Sequence, residues 1–499
     1  MAKNSSSQKV WRPMRRSCTM IVANHDRQCK IDPALEAWIQ EESAAMATNI
    51  LDRMPPAVRQ AMNTLDAMEA GTQALMMAIG RQITEALMAL PASTAVGVCR
   101  ECGRPLRQVD AHRPLTLLGI FGRYAWSRPY GVCPQGHGSA APQDQVLKLG
   151  PRRVSPRLAA IVSRLAIEMP FDQVPDVVAH TLGLEMDSEM VRRVAEQLGS
   201  WAEEQEQHAM QSAEHGNPVP AVPGPSALLI ALDGAMVYTE RTRDGERGWH
   251  EAKVGVCARF EPNPPSAVAI AEDAQEDNRP AYAATEYCVG FEPQAAFLPR
   301  LHAHALQMGL DDPSCQHIVV VGDGAHWIWE QSATQLPAAG KDRVEILDFY
   351  HASQHISGVA KIVWPQDDAT QKAWVADVLH RLRHEGGEIL EEVWAALPPL
   401  PAADQAKVAG AQEYFAYHRG RLDYPRYRAQ GFPIGSGIIE SACKSVLKQR
   451  ESGSGMRWTE AGAQAIATLR AIHRSGRWHD FLDQDPWSQL VPLSRRIAA

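Results

Sequence analysis

The chain has no apolar run approaching the roughly 18 residues that a membrane-spanning helix requires, so no span is expected. Behind the basic start Met1-Ala2-Lys3-Asn4 come serines and no apolar segment, which predicts no signal peptide. Neither sign of charge prevails: 50 Lys and Arg stand against 58 Asp and Glu, a net −8 that argues against a general polyanion binder. Cysteine is sparse, nine in 499 residues, and six of the nine are scattered singly. No disulfide framework is expected in so large a chain, and a reducing cytoplasm is the compartment that follows. What is present is ordinary for a globular protein, 45% hydrophobic and 22% charged. The length suits about three domains.

The average charge hides local structure. Residues 1–30 carry seven Lys and Arg against one acid, and residues 99–157 carry ten against three. Two basic segments on an acidic chain can make local phosphate contacts. Residues 1–30 read as a flexible basic tail. From Ile31 to Leu90 the composition is rich in Ala, Met, Leu and Glu, broken at Pro55-Pro56, and predicts helices with apolar residues three and four apart. A Met-rich stripe of this kind reads as packing and carries no chemistry.

Three later stretches share one device. Ala227 to Leu232 is a run of six apolar residues followed by Asp233-Gly234, which predicts a buried central strand that ends in a carboxylate. His317 to Gly322 is β-branched and ends at Asp323, and Val344 to Leu347 ends at Asp348. Neighbouring parallel strands would bring such ends together, where ligands of open α/β sheets collect, and acids there point to a divalent metal. The plainer reading of each Asp-Gly is a turn. Strands over His250–Phe260, Ala267–Glu272 and Tyr282–Phe291 would form an antiparallel meander beside the first. A helix from Pro293 to Met308 leads to the second acidic strand. The pattern from 351 to 430 is helical, with Trp374, Leu379, Leu382, Ile389 and Trp394 as core contacts.

Gly431 to Arg450 opens with a glycine-rich turn, with Ser436 as a possible helix cap, and continues into a helix carrying Glu440, Lys444 and Lys448 on one face. Its bland reading is a surface salt bridge at i,i+4 spacing. Its functional reading sets Glu440 beside the strand-end aspartates and turns the lysines to a phosphate backbone.

Upstream, Cys99-Arg-Glu-Cys102 is followed after thirty residues by Cys133-Pro-Gln-Gly-His137. Two thiolates two residues apart make half of a tetrahedral zinc site, and Cys133 with His137 can supply the rest. Leu115 to Trp126, between them, alternates around two glycines like a hairpin. A zinc ribbon and a small β-unit with reduced, metal-free cysteines both fit this pattern. Residues 155–204 predict three helices, Ser155–Met169, Asp172–Leu182 and Ser188–Glu204, with a glycine-containing turn before the third. They suit a helix-turn-helix, in which Arg192 and Arg193 would meet DNA, and equally an ordinary bundle. The Pro/Gly stretch His215–Pro225 predicts an exposed linker.

Asp233, Asp323 and Glu440 in this order, with helical sequence before the glutamate, resemble the triad of a DDE transposase with an RNase H-like catalytic core. Asp348-Phe-Tyr-His351 looks like the Asp-x-x-His signature of the Mutator-like branch. Leu-Asp-Gly, Gly-Asp-Gly, Leu-Asp-Phe-Tyr-His, Gly-Ser-Gly-x-x-Glu and Gly453-Ser-Gly-Met-Arg457-Trp458 together are similar to the ISKra-type insertion-sequence transposases, over roughly residues 95–480. The resemblance implies two Mg2+ or Mn2+ ions bridged by Asp233, with Asp323 on one and Glu440 on the other. It also implies in-line attack at phosphorus, first by water and then by the freed 3′-hydroxyl, without a covalent enzyme intermediate. Arg192, Arg193, Lys444, Lys448 and Arg457 would contact double-stranded DNA, Zn2+ would be structural, and a homodimer or higher oligomer would join two ends in the cytoplasm, at the nucleoid. His351 and His355 also have metal-ligand spacing, and a structural or DNA-proximal role is the expectation for them.

The expected organisation is a multidomain α/β chain: tail 1–30, helical region 31–95, zinc-ribbon-like unit 96–150 and helix-turn-helix domain 151–213. A linker 214–226 then leads to an RNase H-like core in two parts, 227–350 and 431–499, around a helical insertion 351–430. Without the resemblance the residues reach only a metal-dependent α/β hydrolase or phosphotransferase. The competing class is a DNA-binding regulator with an inactive core.

Overall fold

The computed structural model describes residues 33–90, 97–99, 101–141, 143–144, 147, 149, 153–215, 224–241, 245–264, 280–336 and 340–489. The basic tail, most of the Pro/Gly linker and the strand expected at Ala267–Glu272 lie outside them. The chain is mixed α/β and divides into two compact units. One is built from residues 163–171 and 189–486, the other from the described residues of 33–162 and 172–188 with 487–489. Among the described residues no helix is long and apolar enough to cross a membrane.

The smaller unit begins with three helices, α1 (Pro33–Arg53), α2 (Pro56–Ala61) and α3 (Leu65–Ala89). Pro55-Pro56 separates the first two, as proline must where a backbone donor is needed. The expected hairpin is present and longer than its glycines suggested: β1 (Arg107–Gly119) and β2 (Gly122–Val132) pair antiparallel, and Gly122 turns the chain at φ +113°. The short β3 (Ser139–Ala140) joins β2. Met88 of α3 packs with Leu117, Tyr124 and Trp126 in the core of this unit.

Helices α4 (Pro156–Ala166), α5 (Val174–Leu182) and α6 (Ser188–Glu214) follow, and Gly183 ends α5 in the left-handed conformation. The third is ten residues longer than the Ser188–Glu204 expected. The division between units runs through this group.

The larger unit holds a mixed sheet in the order β6-β5-β4-β7-β8, from β4 (Ala227–Arg241), β5 (Gly248–Phe260), β6 (Tyr282–Gly290), β7 (His317–Gly322) and β8 (Asp342–Leu347). β4, β5 and β6 are antiparallel, while β7 and β8 run parallel to β4. The expectation that the first strand ends at Asp233 is corrected. Gly234 pairs with Lys253 and the β4–β5 ladder runs on to Thr239, so Asp233 sits in mid-strand. Only the parallel ladder stops there, at the rung Leu232↔Gly322.

Helix α7 (Gln294–Gln307) covers one face of this sheet. Phe297, Leu298 and Leu301 pack on Leu228, Ile230, Leu232, Ile318 and Val320. Each such side chain, fully buried, contributes about 1.5–3 kcal/mol. After α8 (His326–Gln335), the region from 349 to 429 is helical: α9 (Phe349–Val363), α10 (Asp368–Glu385), α11 (Ile389–Ala395), α12 (Ala402–Tyr417) and α13 (Tyr424–Ala429). Leu382 and Ile389 are buried as expected, and Trp374 and Trp394 pack beside Val359 and Val408.

The helix expected to carry Glu440, Lys444 and Lys448 on one face is not a single α-helix. It comprises α14 (Gly437–Ala442) and a π-helical turn, Cys443–Lys448. The wider i→i+5 turn breaks the four-residue register between Glu440 and the lysines, and π-turns are frequent at functional sites. β9 (Trp458–Thr459) then joins β4, and α15 (Glu460–Arg474) packs on β6 through Gln464, which accepts from Phe291 N at 3.0 Å.

Candidate functional site

The parallel register sets three aspartates side by side. Leu232 pairs with Gly322 and Gly322 with Leu347, so Asp233, Asp323 and Asp348 each lie one residue past the same row of rungs. They then diverge in role. Asp233 and Asp323 are half-buried and take one or two donors each, whereas Asp348 is buried and takes four.

Asp233 Oδ1 accepts from Gly234 N at 2.7 Å, and its Oδ2 accepts from the Cys443 thiol at 3.4 Å. Burial raises the Asp233 carboxyl above its usual range. The Asp323 charge adds to this, while the Gly234 amide, Cys443 and Lys448 oppose it. Burial, with Asp233 beside it, pushes the Cys443 thiol up, so it stays protonated and serves as a donor. The π-turn thus sets Cys443 on this carboxylate and brings the Lys448 charge within range of it.

Asp323 is held through its backbone. Ala325 N donates to Oδ1 at 3.0 Å, Tyr414 Oη donates to the Asp323 carbonyl at 2.9 Å, and His418 Nε2 reaches the Gly324 carbonyl at 3.1 Å. Burial and the neighbouring Arg421 bring His418 down to about 4, so near neutral pH it is an uncharged donor. Gly324 has φ +100°, and a Cβ there would meet Tyr414 Oη at 2.3 Å. Only glycine fits this turn. His355 stacks on Tyr414 at 3.9 Å and lies 5.2 Å from the His351 ring, which makes an aromatic wall beside Asp323.

Asp348 caps α9, accepting from Tyr350 N at 3.1 Å and His351 N at 3.2 Å. It also takes Ser436 N at 2.9 Å and Ser436 Oγ at 2.6 Å. Four donors fill its two oxygens, so it acts as a helix cap and a tie to Ser436. Ser436 stands at the N-cap of α14, but its hydroxyl goes to Asp348 instead of capping the helix.

Glu440, Lys444 and Lys448 are exposed. Helix α14 packs on β4 and β5, which brings the segment carrying Glu440 over the strand of Asp233. Hard carboxylate oxygens suit magnesium in kind. Among the described residues, however, only the Cys/His group has its ligand atoms all within 4.8 Å of one another, and the three acids are not gathered so tightly. Arg192 is tied to Glu189 at 2.8 Å and to Glu196 at 2.5 Å, Arg193 also pairs with Glu189, and Arg457 pairs with Glu240 at 3.0 Å. The two arginines hold the Glu189 carboxyl down at about 2.

The second cluster is in the smaller unit. Cys102 Sγ and Cys133 Sγ are 3.6 Å apart, and His137 Nδ1 lies 3.9 Å from Cys99 Sγ and 3.8 Å from Cys133 Sγ. Zinc–sulfur bonds of about 2.3 Å in a tetrahedron require sulfurs about 3.8 Å apart. The four ligands therefore fit a structural zinc ion. Two glycines explain the geometry: Gly103 and Gly136 take φ +68° and +79°, turning the chain so that Gly103 N reaches Cys99 O and Gly136 N reaches Cys133 O. Gly136 makes the turn where a cysteine ligand would otherwise stand, and His137 reaches in from the next position. Backbone amides of Cys102 and Glu101 lower the Cys99 thiol, and Gln135 N donates to Cys133 Sγ at 3.3 Å, both of which favour thiolate.

No protein-family model and no curated protein matches this chain.

Proposed function

We propose that the chain is a DDE transposase of the ISKra-like type, which binds the ends of a mobile element and carries out metal-dependent DNA cleavage and strand transfer. One observation carries this reading: Asp233 and Asp323 stand on adjacent parallel strands at the same level, with the segment carrying Glu440 packed over the first of them. A sheet of three antiparallel and two parallel strands, interrupted by a helical region before the glutamate, supports an RNase H-like core.

Asp233, Asp323 and Glu440 would hold magnesium or manganese, which when bound activates the attacking oxygen and steadies the leaving one. The protein's own contribution is to fix these acids. Cys443 and Lys448 orient and neutralise Asp233, Tyr414 and His418 hold the Asp323 turn, and Asp348 fastens the turn before Glu440. Lys444 and Lys448, exposed on the turn that follows Glu440, suit the DNA backbone, as a phosphate contact needs an accessible cation. Arg192, Arg193 and Arg457 would exchange their present carboxylate partners for phosphate. The zinc-ribbon-like unit and the helices from 155 to 214 would supply end recognition.

Purified protein incubated with supercoiled DNA and Mn2+ should nick it, and Asp233→Asn should not. Wild-type protein that binds DNA without cleaving it would favour the regulator with an inactive core.

A further inference from the structure

Helix α3 presents two different faces. One is committed to its own unit: Met88 is buried, a Cβ on Gly80 would strike the Phe121 ring, Glu85 Oε1 accepts from Ala125 N at 2.9 Å, and Gln73 Nε2 donates to Thr181 O at 2.9 Å. These contacts fix the rotation of the helix. An adjacent face is left open by the described residues, and it is apolar. Leu65, Met68, Met76, Ile83, Leu87 and the C-cap Leu90 are between 46% and 70% exposed.

The order of this open stripe is symmetric. Leu65, Met68, Thr72, Met76, Ile79, Ile83, Leu87 and Leu90 are spaced 3, 4, 4, 3, 4, 4, 3, which reads the same in both directions about a point between Met77 and Ala78. A second copy laid antiparallel on the first sets Leu65 against Leu90, Met68 against Leu87, Thr72 against Ile83 and Met76 against Ile79, and each pair occurs twice. Such self-matching is what a twofold interface requires, and an unrelated partner would have no need of it.

Charge selects the antiparallel direction. The charged residues of α3 are Asp66 and Glu69 near its start and Arg81 and Glu85 in its second half, and Glu85 is taken by the Ala125 amide. A parallel pair would set Asp66 and Glu69 against their own copies. The antiparallel pair separates these acids from their own copies, setting them level with Ala89 and Ala86, and opposes the helix dipoles. Covering the stripe on both copies removes on the order of 1,000 Å² from water, about the threshold of a specific interface.

We propose that this face of α3 is the contact by which two copies of the chain associate, antiparallel, about an axis at Met77/Ala78. The surface belongs to the smaller unit and does not depend on the catalytic reading.

The test is the mass of the full chain in solution by sedimentation velocity at micromolar concentration, for wild type and for Met76→Glu/Ile83→Glu, with far-UV circular dichroism as the fold control. The expected result is a dimer for the wild type and half that mass for the variant, with unchanged helicity. A monomeric wild type overturns the proposal, as does a dimer that the substitutions leave intact. Should the variant unfold, cross-linking decides. Met68→Cys/Leu87→Cys, treated with copper–phenanthroline as oxidant, should give a covalent dimer well above the wild-type background, and Met68→Cys alone should not. Equal cross-linking by the single variant means a parallel pair, and none by either means a different surface; both overturn it.

Discussion

Ser436 donates its backbone amide and its hydroxyl to the two carboxylate oxygens of Asp348, at 2.9 and 2.6 Å, across 88 residues of chain. The same carboxylate caps α9, so one buried side chain fastens the glycine-rich turn before Glu440 to the end of β8. Its role is to position that turn.

Asp348→Ala removes the cap, which costs about 1 kcal/mol, and leaves the Ser436 donors unpaired, which costs a further ~1–3 kcal/mol. Urea unfolding should show a loss of about 2–4 kcal/mol, and Asp348→Asn, which keeps one acceptor, should lose less. An unchanged midpoint for Asp348→Ala would mean that the turn is held by something else.

Cys443 tunes Asp233. Its thiol is among the groups that lower a carboxyl already raised by burial and by Asp323. Cys443→Ala should push Asp233 further up and weaken Mn2+ binding at mildly acidic pH, with the difference closing as pH rises. Cys443→Ser, which keeps a hydroxyl donor, should bind like the wild type. Calorimetric titration with Mn2+ across pH checks this, and a loss that is equal at every pH would contradict it.

The raised Asp233 carboxyl also bears on stability. A carboxyl that is easier to protonate folded than unfolded favours the native state at low pH, and that contribution is lost as pH rises through its folded pKa. Asp233→Asn should therefore melt higher than the wild type at neutral pH without divalent ions, with the advantage shrinking towards the ordinary carboxyl range. Thermal scans at several pH values test the sign. A variant that melts lower at neutral pH would show that the charge is stabilised in the fold.

Elemental analysis should find one zinc per chain, bound by Cys99, Cys102, Cys133 and His137. His137→Ala should lose more affinity than the roughly 10- to 100-fold typical of an outer-shell partner. Gly136→Ala is a finer probe. A Cβ there meets nothing within 4 Å, so only the left-handed backbone is penalised, by about 1–2 kcal/mol. Equal affinity for Gly136→Ala would remove the turn from the explanation.

The sheet was legible where burial forces a run: Ala227–Leu232 and Ile318–Gly322 have no polar residue because both faces of their strands are covered. The end of β4 was not legible. Asp233-Gly234 reads as a turn, and only the neighbour β5 keeps it extended. The zinc ligands were readable from spacing because they close short loops, and Gly136, which looked like a missing ligand, is the residue that lets His137 serve. Cys443 reaches Asp233 from 210 residues away, Tyr414 reaches the Asp323 carbonyl from 91 and His418 the Gly324 carbonyl from 94, and no local pattern announces such contacts. The π-turn that aims Cys443 had no signal in composition or period. The Met-rich stretch of α3 reads as packing, yet among the described residues only one face of that helix is packed.

The most direct measurement is a cleavage and strand-transfer assay on labelled element-end DNA with Mg2+ or Mn2+, comparing the wild type with Asp233→Asn, Asp323→Asn and Glu440→Gln, each first checked for DNA binding. The account predicts metal-dependent nicking and joining by the wild type, abolished by all three substitutions while binding persists. Cleavage that survives the loss of Asp233 or Asp323 would contradict it.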